Sequence, residues 1–274
     1  MSLTVDPLTG TIGAEVSGVD LREKLDADMA AELTSLLHEH LVLVFREHAL
    51  TPEQQIEFGR AFGEIKNPPV RTSHGGPPEI NVVSQDDPKG EGADNWHADN
   101  TYTADPPMGS ILHVKELPGK GGDTMFANMY EAFATLSPPL QRMCEELTAT
   151  HDITMSLTKA IQRGHSTADL DEIRSRFPPV VHPVVITHPV TGRKALFVNA
   201  NSTVRINELS DNESDMVLRT LYEHVRAPDF HVRVRWDLST VVILDNLATQ
   251  HYAVPDYDER RTLHRVAIKG GVLA

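Results

Sequence analysis

The sequence predicts an α+β protein that is mainly β, an antiparallel barrel or sandwich that carries helices. Apolar and β-branched segments crowd the second half of the 274-residue chain, among them FHVRVRWDLSTVVILDN and TLHRVAIKGGVL, and their composition is typical of strands. Helical segments do not alternate with these strands regularly. This pattern argues against a doubly wound parallel sheet, which needs a helix after each strand, and favours an antiparallel architecture.

The first half combines short strands with two helices. The segment TVDPLTGTIGAEVSGVDL predicts strands joined by turns, because it is rich in Gly, Thr and Val. Residues 26–45 predict a helix, capped by Asp26, that leads into the buried strand LVLVF. Thr51 and Pro52 predict the start of a second helix, and Gly63 predicts its end.

The middle of the chain contains further strands and two loop-like segments. Strands are predicted at MGSILHVKEL and TMFANM, and helices over 129–149 and near 212–226. Residues 66–95 contain five prolines and four glycines, and residues 154–176 are polar and irregular. Long loops in a compact domain are usually functional or disordered. We therefore expect one domain over residues 1–274, with active-site lids at 66–95 and 154–176.

The charge of the chain argues against one class of partner. The formal net charge is −14, and no Lys/Arg run stands out. We expect no nucleic-acid binding, because phosphate recognition needs clustered positive charge. A small anionic substrate is compatible with this charge, since one or two local arginines suffice to hold it.

The location of the protein is predicted from what the sequence lacks. No stretch approaches the roughly 18 apolar residues of a membrane span, and MSLTVDPLTG lacks the basic and apolar regions of a secretory signal. We therefore expect a cytoplasmic protein without membrane contact. Cys144 is the only cysteine, which excludes an internal disulfide framework and a cysteine-rich zinc site. Its helical context predicts a packed thiol.

The segment NWHADNTY offers two metal ligands, His97 and Asp99. In a strand, residues two apart point to the same face, so an imidazole nitrogen and a carboxylate oxygen would reach one ion. His251, in LDNLATQHYAVPDY, is the best third ligand. Two histidines and one carboxylate on one face of an octahedral ion are typical of non-haem Fe(II) oxygenases. The same residues would suit Zn(II) in a hydrolase, and this alternative stays open.

Two arginines follow the third candidate ligand. Arg261 and Arg265 lie in the predicted strand RTLHRVAIKG and share a face, because their separation is even. Guanidinium groups aimed into an apolar barrel need anionic partners. A dicarboxylate cosubstrate and an acidic substrate would supply them, and so would Asp or Glu side chains of the protein. Thr124 follows two glycines at a predicted strand start.

Several motifs together resemble the Fe(II)/2-oxoglutarate dioxygenases of the taurine dioxygenase and chlorophenoxyacetate dioxygenase group. WHAD, GGDTMFANM and DNLATQHYAVPDYDERRTLHR occur in the family's order, and PLTGTIGAEVSGVDLRE and HPVVITHPVTGRKALFVN extend the resemblance over nearly the whole chain. The resemblance leans toward the phenoxyalkanoate (dichlorprop-type) branch. It implies a double-stranded β-helix, or jelly roll, with helical insertions, and a homo-oligomer that is a dimer or a tetramer.

The resemblance also implies roles for individual residues. His97, Asp99 and His251 match the iron ligands of the family. Arg261 matches the arginine that pairs with the far carboxylate of 2-oxoglutarate, and Thr124 matches the hydroxyl that hydrogen-bonds the same carboxylate. Fe(II) and 2-oxoglutarate, together with O₂, are therefore the implied cofactor and cosubstrates.

Three further residues are expected to contact the substrate. Arg265 matches the arginine that grips the sulfonate in the taurine enzyme, and Tyr102 and Arg71 are expected at the substrate pocket. Two features depart from the family. Leu244 stands where the family often has Trp, and KNPPVRTSHGGPP has no clear counterpart of the taurine enzyme's loop histidine. The second departure moves the expected substrate away from taurine.

These matches imply a reaction. The enzyme would hydroxylate a small anionic organic substrate, an aryloxyalkanoate-like carboxylate or a sulfonate, while 2-oxoglutarate is decarboxylated to succinate. Asp99 argues for hydroxylation, because related halogenases have a small residue at that position. Three alternatives stay open: an amino acid or other natural-product carboxylate as substrate, a metal-binding barrel without 2-oxoglutarate turnover, and a binding barrel without catalysis. Most of the other histidines, His188 among them, are interpreted as structural.

Overall fold

Antiparallel strands form most of the regular structure in the computed structural model, which describes residues 2–69, 76–85, 95–162, 164, 166–271 and 273. The strands in chain order are β1 (Thr4–Pro7), β2 (Ala14–Ser17), β3 (Val42–Phe45), β4 (Ile65–Lys66), β5 (Asn81–Gln85), β6 (Gly109–Glu116), β7 (Thr124–Asn128), β8 (Thr148–His151), β9 (Val180–Pro183), β10 (Val185–Thr187), β11 (Lys194–Leu196), β12 (Thr203–Ile206), β13 (His231–Val234), β14 (Val241–Asp245), β15 (Thr249–Ala253) and β16 (Arg261–Ile268). The helices are α1 (Ala27–His40), α2 (Pro52–Arg60), α3 (Met129–Ala134), α4 (Pro138–Glu145), α5 (Thr154–Gln162), α6 (Leu170–Arg176) and α7 (Asp211–Val225).

One large sheet organises the fold. Its strands follow the order β1-β2-β3-β14-β6-β16-β4, and β5 pairs with β16 as well. Apart from the parallel pair β2 and β3, its neighbouring strands run antiparallel. A second sheet contains β13, β7 and β15, a third contains β12, β8 and β9, and β10 pairs with β11. These pairings confirm the predicted mixture of helices and antiparallel strands.

The central strands of the large sheet are buried on both faces. In β3, Leu43 and Phe45 belong to one apolar cluster, whereas Val42 and Val44 belong to another. Successive strand side chains point to opposite faces, so a strand that is apolar at every position must be covered twice. Helices α1 and α2 cover one face, and the second sheet covers the other. The functional site lies between the two sheets.

The two N-terminal helices begin where the sequence predicts. Asp26 accepts a hydrogen bond from Met29 N at 2.8 Å, and Thr51 forms a capping box with Gln54. Such caps stabilise a helix by about 1 kcal/mol each. Helix α2 ends at Arg60 rather than at the predicted Gly63, because the backbone after it closes tighter hydrogen bonds than an α-helix makes.

Both predicted lid segments contain regular structure, so the prediction of loops was wrong there. Residues 81–85 form β5, which pairs with β16, and residues 154–176 contain α5 and α6. The prolines and glycines of the first segment lie outside NVVSQ, and this short stretch has strand composition of its own. Asp169 caps α6 by accepting hydrogen bonds from two backbone amides. Residues 70–75, 86–94, 163 and 165 lie outside the described residues.

The predicted helix over 129–149 is interrupted. Helix α3 ends at Ala134, and α4 begins at Pro138, which suits the first turn of a new helix but not the interior of one. The last residues of the range already belong to β8. Helix α7 agrees with the prediction near 212–226.

Cys144 lies buried in α4, as its helical context predicts. Burial raises the pKa of its thiol to about 11. A neutral thiol is a poor nucleophile and a poor metal ligand, so we assign Cys144 to packing. In the part of the chain that the structure describes, no helix is both long and apolar enough to cross a bilayer.

Candidate active site

The segment that carries His97 is joined to the strand that carries His251. His97 N donates a hydrogen bond to His251 O at 3.0 Å, and His251 N donates to His97 O at 2.7 Å. This pair is an isolated bridge, and Asp99 lies in the turn that follows. The prediction of a strand through the HAD motif was therefore wrong. The bridge and the turn nevertheless bring the three residues together.

Three potential ligands converge at this bridge. Ligand atoms of His97, Asp99 and His251 all lie within 4.8 Å of one another. His251 Nε2 is 3.9 Å from Asp99 Oδ1, and the centroids of the two imidazole rings are 4.2 Å apart. His97 Nδ1 lies 2.8 Å from the carbonyl oxygen of Asn95. A carbonyl only accepts, so Nδ1 carries the proton and Nε2 has the lone pair.

The two carboxylate oxygens of Asp99 have different partners. Ser110 Oγ donates to Oδ2 at 2.8 Å, and Arg265 Nη1 donates to Oδ1. The backbone of Asp99 is held by Asn246, whose Oδ1 accepts from Asp99 N at 2.7 Å and whose Nδ2 donates to Asp99 O at 3.1 Å. These contacts fix the carboxylate with Oδ1 on the side of His251.

Burial and charge set the protonation states of these side chains. Burial lowers the pKa of His97, and it lowers the pKa of His251 to about 3, where the neighbouring imidazole adds to the shift. Burial by itself would raise the pKa of Asp99, but the Arg265 guanidinium, the two imidazoles and the Ser110 hydrogen bond together outweigh it, and the pKa falls to about 2. At neutral pH the site offers two neutral imidazoles and one carboxylate, the states that metal coordination requires.

Thr124 and Arg261 form a second polar group in the site. Arg261 Nη2 and Trp236 Nε1 both donate to Thr124 Oγ1, each at 3.0 Å. A hydroxyl oxygen has two lone pairs, so this pair of donors leaves the hydroxyl proton for a further acceptor. Arg261 is almost fully buried, its Nε has no hydrogen-bond partner, and burial lowers its pKa.

Gly122 makes room for the buried guanidinium group. Its φ is +74°, and a Cβ there would lie 3.1 Å from Arg261 Cδ and 3.2 Å from Pro118 Cγ. Its amide donates to Asp256 Oδ1 at 2.8 Å. Any other residue would be both strained and crowded at this position, which explains the second glycine of the GGDT motif.

Two adjoining cavities meet at these residues. The inner cavity, of about 70 Å³, is lined by both histidines of the bridge together with Thr124 and Arg261. The outer cavity, of about 570 Å³, extends from it toward β5, α5 and α6. Gln85 and Arg265 line both cavities. Arg265 therefore stands at the junction between the ligand cluster and the larger space.

A second group of ligand-type side chains, His38, His188 and Asp245, lies outside these cavities. His188 Nε2 is 3.1 Å from Asp245 Oδ2, and both side chains are buried. The backbone amides of Val190 and Thr191 donate to His188 Nδ1. A ring nitrogen that accepts leaves the proton on the other nitrogen, so His188 has no lone pair for a metal ion. This agrees with the structural role predicted for His188.

Comparisons with known proteins show the family of the chain. The family model described as "Taurine catabolism dioxygenase TauD, TfdA family" matches residues 4–267. The chain belongs to this family. An alpha-ketoglutarate-dependent sulfate ester dioxygenase of Pseudomonas putida is 34% identical over 279 residues, which cover 99% of this chain and 91% of that protein.

Two further members of the TauD/TfdA family are similarly close. An alpha-ketoglutarate-dependent 2,4-dichlorophenoxyacetate dioxygenase of Cupriavidus pinatubonensis is 32% identical, over 97% of this chain and 97% of that protein. The crystal structure of a taurine dioxygenase from Burkholderia xenovorans superimposes with a TM-score of 0.85 at 33% identity. The superposition covers 100% of this chain and 91% of that one.

Membership of the TauD/TfdA family decides the reaction class. The chain is a 2-oxoglutarate-dependent dioxygenase, an oxidoreductase that uses Fe(II), 2-oxoglutarate and O₂. The zinc hydrolase, the metal barrel without 2-oxoglutarate turnover and the barrel without catalysis are therefore wrong. Relatives named for a sulfate ester and for an aryloxyacetate are similarly close. The family accordingly acts on a range of small anions.

The structure locates the remaining predicted residues of this TauD/TfdA protein with one exception. Tyr102 lines the outer cavity, and its hydroxyl donates to Asn100 Oδ1 at 3.1 Å. Burial raises the pKa of Tyr102 to about 12. Arg265 lines both cavities but also pairs with a carboxylate of the protein, the partner that the sequence had left open. Arg71 lies outside the described residues.

Sequence reasoning missed Ser110 and Asn246. Ser110 is the polar residue in the otherwise apolar start of β6, and Asn246 directly follows the fully buried strand β14. A buried polar side chain at such a position needs a partner. That requirement was the available signal, although it does not say which residue the partner is.

Proposed function

We propose that His97, Asp99 and His251 bind the catalytic Fe(II). Two neutral imidazoles and one carboxylate form the donor set of non-haem Fe(II) oxygenases. His251 Nε2 lies 3.9 Å from Asp99 Oδ1, and ligand atoms of all three residues lie within 4.8 Å of one another, so one ion can contact all three. When bound, iron together with 2-oxoglutarate supplies the activation of O₂. Ser110 and Asn246 hold the carboxylate in position for the ion.

Arg261 and Thr124 are proposed to bind the far carboxylate of 2-oxoglutarate. Arg261 is a buried cation whose contacts with Thr124 and Tyr257 involve hydroxyl groups rather than carboxylates. A buried guanidinium is costly unless an anion compensates it, and a carboxylate can accept two of its N–H groups at once. The remaining proton of Thr124 can donate a further hydrogen bond to the same carboxylate.

Arg265 is proposed to bind the anionic group of the substrate. Among the described residues that line the outer cavity, Arg265 alone carries a positive charge. Its contact with Asp99 indicates that a group bound by this guanidinium lies beside the metal ligands. The observation that carries the proposal is that Arg261 and Arg265, on one strand, both line the cavity of the ligand cluster.

The proposed reaction is hydroxylation of a small organic anion, coupled to decarboxylation of 2-oxoglutarate to succinate. A sulfonate, a sulfate ester or an aryloxyalkanoate would meet the requirement of one anionic group next to an oxidisable carbon. The chain's own contribution is to orient one C–H bond and to keep water away from the reacting atoms. The small inner cavity suits this task, because its lining brings the ligands and the two arginines together.

The fold is proposed to be the jelly roll that the resemblance implies. The large sheet and the β13-β7-β15 sheet would be its two layers, since the ligand cluster and both arginines lie between them. We propose that residues 1–274 form one domain. The dimer or tetramer and the cytoplasmic location stay predictions, and light scattering of the purified protein tests the first of them.

The function is tested by succinate release from purified protein supplied with Fe(II), 2-oxoglutarate and a panel of sulfonates, alkyl sulfates, phenoxyalkanoates and amino acids. We expect release above the substrate-free rate with one or more of the anions that lack an amine. His97→Ala should abolish both Fe(II) binding and turnover. An unchanged metal content in this variant would overturn the assignment of the ligands. Tyr130→Phe, a buried change remote from both cavities, is the control for folding.

A further inference from the structure

The outer cavity has an apolar wall that none of the roles above uses. Its apolar side chains come from β5, from α5 and α6 and from the residues just before these two helices. We call this wall the tail pocket: Val83, Ile153, Leu157, Ala168 and Ile173. The tail pocket lies in the same cavity as Arg265, which stands at its inner end. An anion held at the guanidinium would therefore extend its organic part along this wall.

Among the described residues, the polar side chains that border the outer cavity are uncharged apart from Arg265. They are amides, hydroxyls and the Tyr102 phenol, and the described lining includes no carboxylate. An ammonium group moved from water into such a space would lose its hydration without gaining a counter-charge, which is costly. The cavity therefore disfavours a substrate whose body carries an amine, and it favours a neutral one.

Three acidic residues adjoin tail-pocket residues in sequence, and none of them lines the outer cavity: Asp152, Asp169 and Glu172. Asp169 caps α6, and Glu172 is exposed. Asp152, which precedes Ile153, accepts a hydrogen bond from Thr154 N at 2.8 Å and forms an ion pair with Arg174 at 2.7 Å. Both contacts stabilise its charged form. Asp152 therefore joins α6 to the start of α5. Because its carboxylate is already paired with Arg174, it is not available to pair with a substrate ammonium.

A second contact ties the same helix to the opposite side of the cavity. Arg176, at the end of α6, donates to Pro69 O at 2.8 Å, and Pro69 lines the outer cavity opposite the helices. Arg174 and Arg176 both belong to the last turn of α6, so the C-terminal end of this helix is held by two contacts. A wall fixed in this way defines a space of limited length, and limited length selects among substrates.

The size of the cavity indicates how much substrate it accepts. About 570 Å³ lies within the range of pockets that enclose a drug-sized ligand. A substrate whose organic part has only two carbon atoms would leave most of the tail pocket in contact with water. Each further methylene that is buried against apolar side chains contributes about 0.8 kcal/mol, which corresponds to a roughly fourfold gain in affinity.

We propose that the tail pocket binds an uncharged apolar body that extends from the substrate's anionic group, either an alkyl chain or an aryl ring. This proposal rests on the proposed function, because it takes Arg265 as the anion-binding group. Leu157 and Ile173, which face the pocket from two different helices, are the residues that set the length of the body.

The test compares ethyl, hexyl and decyl sulfate with a phenoxyalkanoate and with taurine, scored by succinate release. We expect kcat/KM to rise up to about fourfold per methylene until the pocket is filled. Taurine should be poorer than hexyl sulfate by about 100-fold or more, because the described lining of the cavity offers its ammonium no counter-charge. The phenoxyalkanoate distinguishes the ring from the chain. Equal use of taurine, ethyl sulfate and decyl sulfate would overturn the proposal.

A substitution in the wall tests which residues set the length. Leu157→Trp should fill the pocket and reduce kcat/KM for decyl sulfate by about tenfold or more, with little change for ethyl sulfate. Lys159→Trp is the matched control, because Lys159 lies on the same helix but is exposed. The same length profile in Leu157→Trp and in the unmodified enzyme would rule out the role of Leu157.

Binding separates failure of this proposal from failure of the proposed function. The calorimetric affinity for each alkyl sulfate is measured on enzyme loaded with Mn(II) and the 2-oxoglutarate analogue N-oxalylglycine. Binding that depends on chain length, and that Leu157→Trp removes, would support the tail pocket even if no compound released succinate. The absence of succinate release would count against the proposed function alone. Succinate release without length dependence would count against the tail pocket alone.

Discussion

Asn246 binds Asp99 through two hydrogen bonds that run in opposite directions. Its Oδ1 accepts from Asp99 N at 2.7 Å, and its Nδ2 donates to Asp99 O at 3.1 Å and to Pro107 O at 2.9 Å. Asn246 is itself fixed, since it is fully buried and its backbone N–H donates to Met108 O at 2.8 Å. It lies on the connection to β15, the strand of His251. One side chain thus couples the positions of two proposed iron ligands.

Replacing this side chain should weaken metal binding. Asn246→Ala removes both hydrogen bonds to Asp99, and we expect a 10- to 100-fold (about one to two orders of magnitude) lower affinity for Mn(II), as for other residues that orient metal ligands. Asn246→Asp keeps an acceptor for Asp99 N but loses the donors. Its affinity for Mn(II) should lie between those of Asn246→Ala and the unmodified enzyme. Calorimetric titration with Mn(II) measures both variants, together with their melting temperatures.

A control separates positioning from general stability. Asn207 Oδ1 accepts a hydrogen bond from Thr150 Oγ1, and its Nδ2 donates one to Thr148 Oγ1, but Asn207 lines neither cavity. Asn207→Ala should lower the melting temperature and leave the Mn(II) affinity unchanged. Equal Mn(II) affinities for Asn246→Ala and the unmodified enzyme would show that Asn246 is only structural.

The sequence predicted the three proposed ligands of this site but not the residues that support them. His97, Asp99 and His251 are recognisable because metal coordination limits the choice of residue type, and the family's motifs place them in order. Asn246 was missed because its partner is the backbone of a residue 147 positions away. Any residue has a backbone amide, so sequence chemistry does not identify such a partner.

Local pattern was also a poor guide where tertiary pairing decides the structure. The stretch of β5 lies among prolines and glycines, and its strand character comes from pairing with β16, where Gln85 is opposite Arg261. The HAD segment has the spacing of a strand but forms one bridge and a turn. Helix starts were predicted well, because Asp26 and Thr51 cap through contacts within one turn of the chain.

Arg261 offers a test of the 2-oxoglutarate site. Arg261→Gln removes a buried charge that has no carboxylate partner among the described residues, and we expect the KM for 2-oxoglutarate to rise by about 100-fold, as for loss of a charged hydrogen-bond pair. The affinity for Mn(II) should stay within about twofold, since Arg261 does not hydrogen-bond the three ligands. Titration of the Mn(II)-loaded variant with N-oxalylglycine checks the result independently of turnover.

The neighbouring arginine supplies the matched control for this experiment. Arg260 is exposed and forms an ion pair with Glu116 on the outer side of the sheet. Arg260→Gln should leave the affinity for N-oxalylglycine unchanged. A similar loss in both variants would mean that overall charge, rather than a specific contact of Arg261, attracts the dicarboxylate.

Replacing Arg265 should change the affinity for the metal ion and the affinity for the substrate in opposite directions. Its guanidinium donates to Asp99 Oδ1, the oxygen on the side of His251, whereas Oδ2 is engaged by Ser110. Arg265 and a metal ion therefore compete for Oδ1. We expect Arg265→Gln to raise the affinity for Mn(II) by about tenfold, which corresponds to about 1.4 kcal/mol, and to raise the KM for an anionic substrate by about 100-fold.

Parallel titrations of Arg265→Gln with Mn(II) and with decyl sulfate measure the two effects on one preparation. Arg265→Lys retains the charge but loses the planar arrangement of donors, so it should recover only part of the substrate affinity. A lower Mn(II) affinity in Arg265→Gln would contradict the competition. It would show instead that the guanidinium stabilises Asp99 as a ligand.

His151 should make the folded protein sensitive to acid. It is buried between β8 and its neighbours, with Nδ1 3.0 Å from Thr101 Oγ1. Burial lowers its pKa from the ordinary value of 6.5 to about 3, and the nearby His182 contributes to the shift. Between these pH values the unfolded chain binds a proton at this residue that the folded chain does not. The free energy of unfolding therefore decreases as the pH falls, by up to about 1.4 kcal/mol per unit.

Urea unfolding of the unmodified protein and of His151→Gln, each near neutral pH and about one unit below the ordinary histidine pKa, isolates this contribution. His151→Gln should be less stable near neutral pH, because it loses hydrogen bonds and packing, but it should lose about 1 kcal/mol less than the unmodified protein on acidification. The other buried histidines titrate in both proteins, so the effect of those that do not contact His151 cancels in the comparison. Equal losses on acidification would mean that His151 accepts a proton in the folded state, against the depressed pKa that its burial produces.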